Sequence, residues 1–512
     1  MWLTQLLLRN RQCFPDRTAL VDHRRSLTWS QLHDRTLELA HGLAAVGIRS
    51  GDRVAVLSLD RIEVLETYFA LARIGALFVP LNHSLTPAEV AGAVERSGAV
   101  AVVGEDELLA RHPELPVRWR ISLEDPAFAA LGRDAEPTAR SGPGHVPGVP
   151  GLPDVGFGEV PDTVPDDAPA AILHTSATTG LAKGVTVDHA SFRAIALGWL
   201  AVAAPTDDMV LVNCCPLYHG SMVVSLTYMA AGATVVLLPG FTPQGALEAI
   251  EANRATHLWL VPQMLRFLLH AKASERTDLS TLREILYGAA PMPMDIYADA
   301  LRRLDCGFRQ VYGMTEVGGP FVTLGPDEHP LADRLPESLP AGRVIPGMSA
   351  RALDPQDREL GPDAIGEICV RGPGQMRGYW GNAEATAEIT TKDGWIRTGD
   401  LGFIDREGYI HLVDRSKDLI IRAGQNVYPS EVERALRSHP AVRDAAVLGI
   451  PDADYGEVPL AYVAAQEGTT AVELQRHLAE LLAPYKRPRR IEFIDEVPRN
   501  PAGKILKKLL RG

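Results

Sequence analysis

Cysteine is scarce in this chain: five occur in 512 residues, with only Cys214 and Cys215 adjacent and Cys13, Cys306 and Cys369 scattered. That spacing supplies neither a disulfide framework nor paired zinc ligands, so a reducing, cytoplasmic setting is expected. Long apolar runs are also missing. No stretch approaches the ~20 residues that cross a bilayer, and the apolar run within residues 1–10 is too short for a secretory signal. Positive charge is not in excess: the formal net charge of −13 argues against nucleic acid as a general partner. Dinucleotide fingerprints are lacking too, because Gly142-Pro-Gly144 and Gly372-Pro-Gly374 are incomplete and do not sit between a strand and a helix. What the chain has is length. Its size exceeds one ordinary core, so two or more domains are expected.

The most informative stretch is Ile172-Leu-His-Thr-Ser-Ala-Thr-Thr-Gly-Leu-Ala-Lys-Gly-Val185. A strand over 170–173 runs into a loop and leaves as a second strand over 184–187. The loop offers backbone N–H groups, the hydroxyls of Thr175, Ser176, Thr178 and Thr179, the turn at Gly180 and the ammonium of Lys183. These suit a polyphosphate grip. It is not a Walker A loop, since Ala182 stands where glycine must precede the lysine and Gly184 replaces the metal-binding hydroxyl. A polar connection between two strands is the commoner fate of such clusters.

Four later segments carry more chemistry. Tyr312-Gly313-Met314-Thr315-Glu316 places an aromatic ring, a hydroxyl and a carboxylate after a short strand. Thr398-Gly399-Asp400 reads as a turn presenting one carboxylate. Asp414-Arg415-Ser416-Lys417-Asp418 precedes an apolar strand and then Gly424-Gln-Asn-Val-Tyr-Pro429. Asn500-Pro-Ala-Gly-Lys504 reads as a glycine hairpin bearing a lysine. Between these lies a βα alternation, with helices over 29–46 and 63–74, strands over 52–57 and 78–80, and a Thr86/Glu89 capping box with Pro87 at the first helical position. Such alternation predicts layered α/β sheets. Residues 133–168 are crowded with proline and glycine and read as a long surface loop. Beyond 414 a smaller α+β pattern begins, including a helix capped by Ser430 with Glu433 closing the box.

Together these segments, with Leu27-Thr-Trp-Ser-Gln-Leu32, Gly75-Ala-Leu-Phe-Val-Pro-Leu-Asn82 and Gly366-Glu-Ile-Cys-Val-Arg-Gly-Pro373 with Gly378-Tyr-Trp380, resemble the acyl-adenylate-forming superfamily of acyl-CoA synthetases, peptide-synthetase adenylation domains and luciferases. The resemblance covers nearly the whole chain. It implies an α/β fold: a large N-terminal domain, 1–416, of layered βα sheets plus a small barrel-like β region, and a small mobile α+β lid, 417–512, with its hinge near Lys417.

The resemblance also implies roles. Lys504 would bridge the substrate carboxylate and the α-phosphate of ATP, Glu316 would hold Mg²⁺, and Thr315 would orient the phosphate. Asp400 would take the ribose hydroxyls with Arg415 behind it. Tyr312, beside Gly313, would lie on adenine, with Gly288-Ala289-Ala290 as the opposite wall. Gly424 would sit beside a tunnel for the thiol of CoA or of a carrier-protein phosphopantetheine, with the acceptor arriving in trans. The acid pocket would involve Tyr218, His219, Trp259, Val261, Met314, Val317 and Gly318, and His219 also stands among the candidate catalytic groups. Amino-acid-activating relatives carry aspartate at the position of His219. A buried ammonium without a carboxylate is costly, so a hydrophobic monocarboxylic acid, fatty or bulky and cyclic, is expected. Two positions depart from the usual pattern: Ala177 for glycine and Ala182 for proline, read as slightly weaker pyrophosphate contacts. The alternatives are an enzyme that stops at the adenylate or loads a carrier protein in a secondary-metabolite pathway, and a degenerate nucleotide-binding scaffold.

Overall fold

The computed structural model describes residues 2–125, 128, 164–175, 183–218, 220–331, 334–423, 425–452, 454–499 and 505–510. Most of the 133–168 loop lies outside the described residues.

Among those residues the strands form four sheets. A seven-stranded sheet has a parallel centre of Arg53–Leu57, Leu77–Pro80 and Ala101–Gly104, and strand Pro169–His174 continues it in parallel. Strands Gly184–Asp188 and Gly378–Tyr379 then add antiparallel at the edge. A nine-stranded sheet holds His257–Leu260, Glu284–Gly288 and Gly307–Met314 in parallel register. Strand Gly319–Leu324 folds back against the last of these.

One hydrophobic cluster reaches both sheets through helices Trp29–Val46, Ile62–Ile74, His189–Ala203 and Ser221–Ala231. Trp29, Tyr68, Phe69 and Phe192 are sealed in this shared layer. A second cluster covers the other face of the nine-stranded sheet with helices Pro243–Ala252, Pro262–His270 and Met294–Arg303. A third packs Pro87–Ser97 on the outer face of the seven-stranded sheet. The result is the layered α/β arrangement expected from the βα alternation.

Local signals placed many boundaries. The 29–46 helix spans Trp29–Val46, opened by a Thr28/Gln31 capping box and closed by left-handed Gly47. The Thr86/Glu89 box and Pro87 open Pro87–Ser97 as read from the sequence. Because Ile62–Ile74 is covered on almost every side, its acidic residues need partners. Fully buried Glu66 takes Arg25 at 2.9 Å, and Glu63 takes Arg61 at 2.7 Å.

The small β region is a four-stranded antiparallel sheet of Ser349–Leu353, Gly366–Arg371, Ile396–Ile404 and Ile410–Arg415. After it comes a separate C-terminal α+β domain around strands Val442–Asp452 and Gly456–Ala465. One expectation fails there. The helix starts at Pro429, not under a Ser430 cap. Ser430 instead donates its hydroxyl to the Val413 carbonyl at 2.6 Å, and buried Glu433 accepts the Val447 N–H at 2.9 Å. Tertiary partners outcompete the local box, and proline already suits the first helical position.

Asp60, just after strand Arg53–Leu57, ties the two large sheets together. Both its oxygens accept the Leu217 N–H, at 3.0 and 3.1 Å. Burial pushes its carboxyl up to about 8, against the pull of that N–H. In the unfolded chain a carboxyl of this type titrates near 3.9. Between roughly pH 4 and 8 the folded protein therefore holds a proton that the unfolded chain has released, and this contribution to stability is lost as pH rises through the window. Asp60→Asn should flatten the fall of melting temperature across that range. An unchanged slope would show that Asp60 does not hold its proton in the fold.

Candidate functional site

Lys183 and Thr175 close the base of the expected phosphate loop. The Thr175 N–H donates to the Lys183 carbonyl at 3.1 Å, and strands Pro169–His174 and Gly184–Asp188 pair antiparallel on either side. Glycine follows the lysine for a steric reason. A Cβ at 184 would sit 2.7 Å from Ile172 Cγ2. Ser176, Thr178, Thr179 and Gly180 fall outside the described residues, as do Ala177 and Ala182.

Strand Gly307–Met314 delivers the next groups. The short turn Thr315–Val317 follows it and turns back at left-handed Gly318. This turn buries Glu316, whose Oε1 accepts a hydrogen bond from the Tyr379 hydroxyl at 2.8 Å. The Glu316 carbonyl accepts the Met376 N–H at 2.9 Å, so backbone and side chain are both held from the 376–379 segment. Lys183 Nζ stands over the same Tyr379 ring, 4.8 Å from its centroid. Thr315 lies partly exposed in the turn beside Glu316.

Four residues before Glu316, Tyr312 reaches a second carboxylate. Its hydroxyl donates to Asp400 Oδ2 at 2.5 Å, and Arg415 Nε stands 2.7 Å from Asp400 Oδ1. The Tyr312 ring packs against Phe321, with centroids 5.2 Å apart. Burial, followed by the Asp400 carboxylate, raises the Tyr312 phenol well above its ordinary value. The Thr398-Gly399-Asp400 segment is not a turn, as the sequence suggested, but the middle of strand Ile396–Ile404. Ile396, Thr398 and Asp400 alternate inward, while Gly399 takes a φ of +72° that glycine adopts without strain. The Thr398 hydroxyl anchors the strand by donating to the Ile368 carbonyl at 2.6 Å.

Gly288, Ala289 and Ala290 leave the end of strand Glu284–Gly288. A Cβ at 288 would stand 2.5 Å from the Val311 carbonyl, and Ala289 holds a φ of +64°. Left-handed backbone at alanine costs on the order of 1 kcal/mol, the kind of strain that collects at binding surfaces. Gly313 is equally constrained: a Cβ there would sit 2.4 Å from the Gly319 carbonyl oxygen.

The expected acid-pocket residues are split. Trp259, Val261 and Val317 are buried in the shared core, and partly buried Met314 packs on it. Among the described residues the buried Trp259 Nε1 has no hydrogen-bond partner. Tyr218 is buried nearby in sequence to the Asp60 contact at Leu217, and its ring meets His83 edge-on with centroids 5.9 Å apart. Burial raises its phenol, and Asp60 adds to the effect. Fully buried Val317 can support such a pocket only from behind. His219 lies outside the described residues.

At the domain junction Lys417 occupies the short turn Ser416–Asp418. Partial desolvation lowers its ammonium below the ordinary lysine value despite Asp418, and Arg415 and Lys507 add to the lowering. Lys507 in turn pairs with Asp418 at 3.3 Å. Gly424 and Lys504 lie outside the described residues, although strands Ile420–Arg422 and Gln425–Val427 flank the first. Arg499 and Ile505 pair antiparallel around the second. The basic run Lys486 to Arg490 has partners within its own domain: Lys486 takes Glu431, Arg487 the Leu482 carbonyl, Arg489 Asp452 and Arg490 Glu492.

Nothing in the sequence assigns a role to Tyr379, present only within the Gly378-Tyr-Trp380 motif, or to Asp60. Their partners, Glu316 and Leu217, lie 63 and 157 positions away, and no local pattern reports such distances. No group of three or more His, Cys, Asp or Glu side chains that could enclose a metal occurs among the described residues. A single carboxylate such as Glu316 nonetheless fits a magnesium ion that arrives on phosphates and keeps most of its waters.

The profile described as AMP-binding enzyme matches residues 7–380, and the AMP-binding enzyme C-terminal domain matches 431–504. A fatty acid–[acyl-carrier-protein] ligase, ScoC, of Streptomyces coeruleorubidus is 37% identical, with 97% of this chain and 93% of that protein covered. A feruloyl-CoA synthase of an Amycolatopsis species is 36% identical over 98% and 97%. Among solved structures, o-succinylbenzoate coenzyme A synthetase (MenE) of Bacillus subtilis, in complex with ATP and magnesium ion, superposes with a TM-score of 0.84 at 30% identity, covering 99% of each chain. On this extent of match the chain belongs to the AMP-binding enzyme family.

Proposed function

We propose that this protein uses ATP to convert a hydrophobic monocarboxylic acid, fatty or bulky and cyclic, into an acyl-adenylate with release of pyrophosphate, and then passes the acyl group to the thiol of CoA, forming the thioester as AMP leaves. The observation that carries this reading is the end of strand Gly307–Met314. It brings Tyr312 to the Asp400–Arg415 pair and, four residues on, Glu316 to Tyr379 and Lys183. One strand end thus joins a carboxylate suited to ribose hydroxyls with a cation suited to phosphate. The CoA ligases among its relatives support the second half-reaction.

In the reaction, a carboxylate oxygen of the acid attacks the α-phosphorus and the bond to pyrophosphate breaks. Positioning and cations at the developing charge do most of the work. Lys183 and the hydroxyls of Thr175, Ser176, Thr178 and Thr179 hold the leaving phosphates, and Thr315 orients the one under attack. Lys504 stands between the two anions. Asp400 binds the ribose while the Tyr312 hydroxyl and Arg415 fix its carboxylate, and adenine lies between the Tyr312 ring and the wall of Gly288, Ala289 and Ala290. Glu316 would hold magnesium, which neutralises phosphate charge when bound. The nucleotide and acid domain comprises 1–416 and the lid 417–512, turning at Lys417 to bring Gly424 to the thiol channel. Five free cysteines suit work in the cytoplasm.

The ScoC relative favours a second reading, in which the acyl group is loaded on a carrier protein in a secondary-metabolite pathway. Incubation with ATP, Mg²⁺ and a panel of acids, with CoA or a carrier protein supplied separately and the products resolved by mass, decides between them. Adenylate without CoA thioester would remove the first reading. Removal of one preorganised donor costs on the order of 3 kcal/mol, so Lys504→Ala should slow adenylate formation a hundredfold or more while ATP still binds. Normal pyrophosphate exchange in this variant would refute the role. Gly424→Leu should block thioester formation and spare the adenylate, and equal loss of both would sink the tunnel assignment.

A further inference from the structure

We infer that Tyr379 is a positioning residue of the phosphate end of the site, a spacer that holds the Lys183 ammonium and the Glu316 carboxylate apart and aimed at the same ligand. The inference rests on the reading above. Its basis is one side chain with two partners. The hydroxyl donates to Glu316 Oε1 at 2.8 Å, and the ring carries Lys183 Nζ at 4.8 Å from its centroid.

The backbone around Tyr379 is pinned to both neighbours. Strand Gly378–Tyr379 pairs with Gly184–Asp188, placing Tyr379 opposite Val185, two residues past the lysine. The Trp380 N–H donates to the Gly184 carbonyl at 2.7 Å, and the Tyr379 N–H donates to Thr386 Oγ1 at 2.9 Å. On the other side, the Met376 N–H holds the Glu316 carbonyl. Tyr379 itself is buried. Movement of its ring would therefore disturb both charges.

The physical argument turns on what the phenol prevents. A lysine and a glutamate in one partly buried site attract strongly and would neutralise each other on direct contact. Here the described acidic contact of Lys183 is the exposed Glu388, at 3.8 Å, in addition to the Tyr379 ring face. A neutral phenol satisfies one carboxylate oxygen as a donor and offers the ammonium a cation–π surface. The ammonium is thereby left for phosphate, and the carboxylate for a cation carried by that phosphate.

Calorimetric binding of ATP with Mg²⁺ and with EDTA tests the inference apart from turnover. A hydrogen bond to a charged group is commonly worth a factor of about ten or more. Tyr379→Phe should weaken binding of ATP with Mg²⁺ roughly tenfold, change metal-free ATP binding less than about twofold, and leave the KM for the acid unaltered. Tyr379→Leu, which also removes the ring, should weaken both forms of ATP. In a Glu316→Gln background Tyr379→Phe should cost little more, because the two changes remove one interaction. Wild-type affinity in Tyr379→Phe, equal losses with and without metal, or additive losses in the double variant would overturn the inference. If Tyr379→Phe lowers the melting temperature, additivity in the double variant still decides against it and non-additivity for it. Unchanged binding in Tyr379→Phe while the wild type makes adenylate would defeat this inference alone; a wild type that binds no ATP would defeat the functional reading with it.

Discussion

The helices Ile62–Ile74 and Ser221–Ala231 have almost no free surface, because they lie in the layer that both large sheets use as their core. This shared burial is the constraint on which the site depends. Close-packed interiors do not deform continuously, so the strand ends leaving the two sheets are held at one separation. The phosphate-loop strands belong to the seven-stranded sheet, and the strand bearing Tyr312 belongs to the nine-stranded one. Tyr379, on the first sheet, can meet Glu316, which follows a strand of the second, because the helices between them fix the gap.

Charge is handled in two ways. Deep in the core, Glu66 and Glu63 are matched by arginines, as burial of carboxylates requires. Asp60 has, among the described residues, a backbone N–H as its partner and keeps its proton instead. Around the candidate site the carboxylates of Glu316 and Asp400 are instead held by tyrosine hydroxyls, with Arg415 added to Asp400 alone. A phenol orients a carboxylate without cancelling its charge. That choice keeps both groups able to act on a ligand.

The small C-terminal domain differs in kind. Its core is a separate cluster around Val447, Val463 and Leu474. Its basic run, Lys486 to Arg490, spends its cations on Glu431, Asp452, Glu492 and a carbonyl. Exposed pairs of this kind add little stability, yet they show why a charge run is weak evidence for a ligand.

Local chemistry was legible wherever a few neighbouring residues decide the outcome. Thr28 with Gln31 and Thr86 with Glu89 open helices because capping is a contact of side chain and backbone within one turn. The resemblance of the quoted motifs likewise identified the family and the α/β class before any coordinate. What the sequence could not supply was any relation across layers. Ser430 lost its expected cap to Val413 and Pro429, and the supposed turn at Asp400 became mid-strand once inward alternation at Ile396, Thr398 and Asp400 was satisfied. The bonds from Tyr312 to Asp400 and from Tyr379 to Glu316 span 88 and 63 positions. The sequence alone thus determined which reactive groups the chain carries and which local elements hold them. The tertiary structure decided which groups touch, because that follows from burying two sheets against one layer of helices.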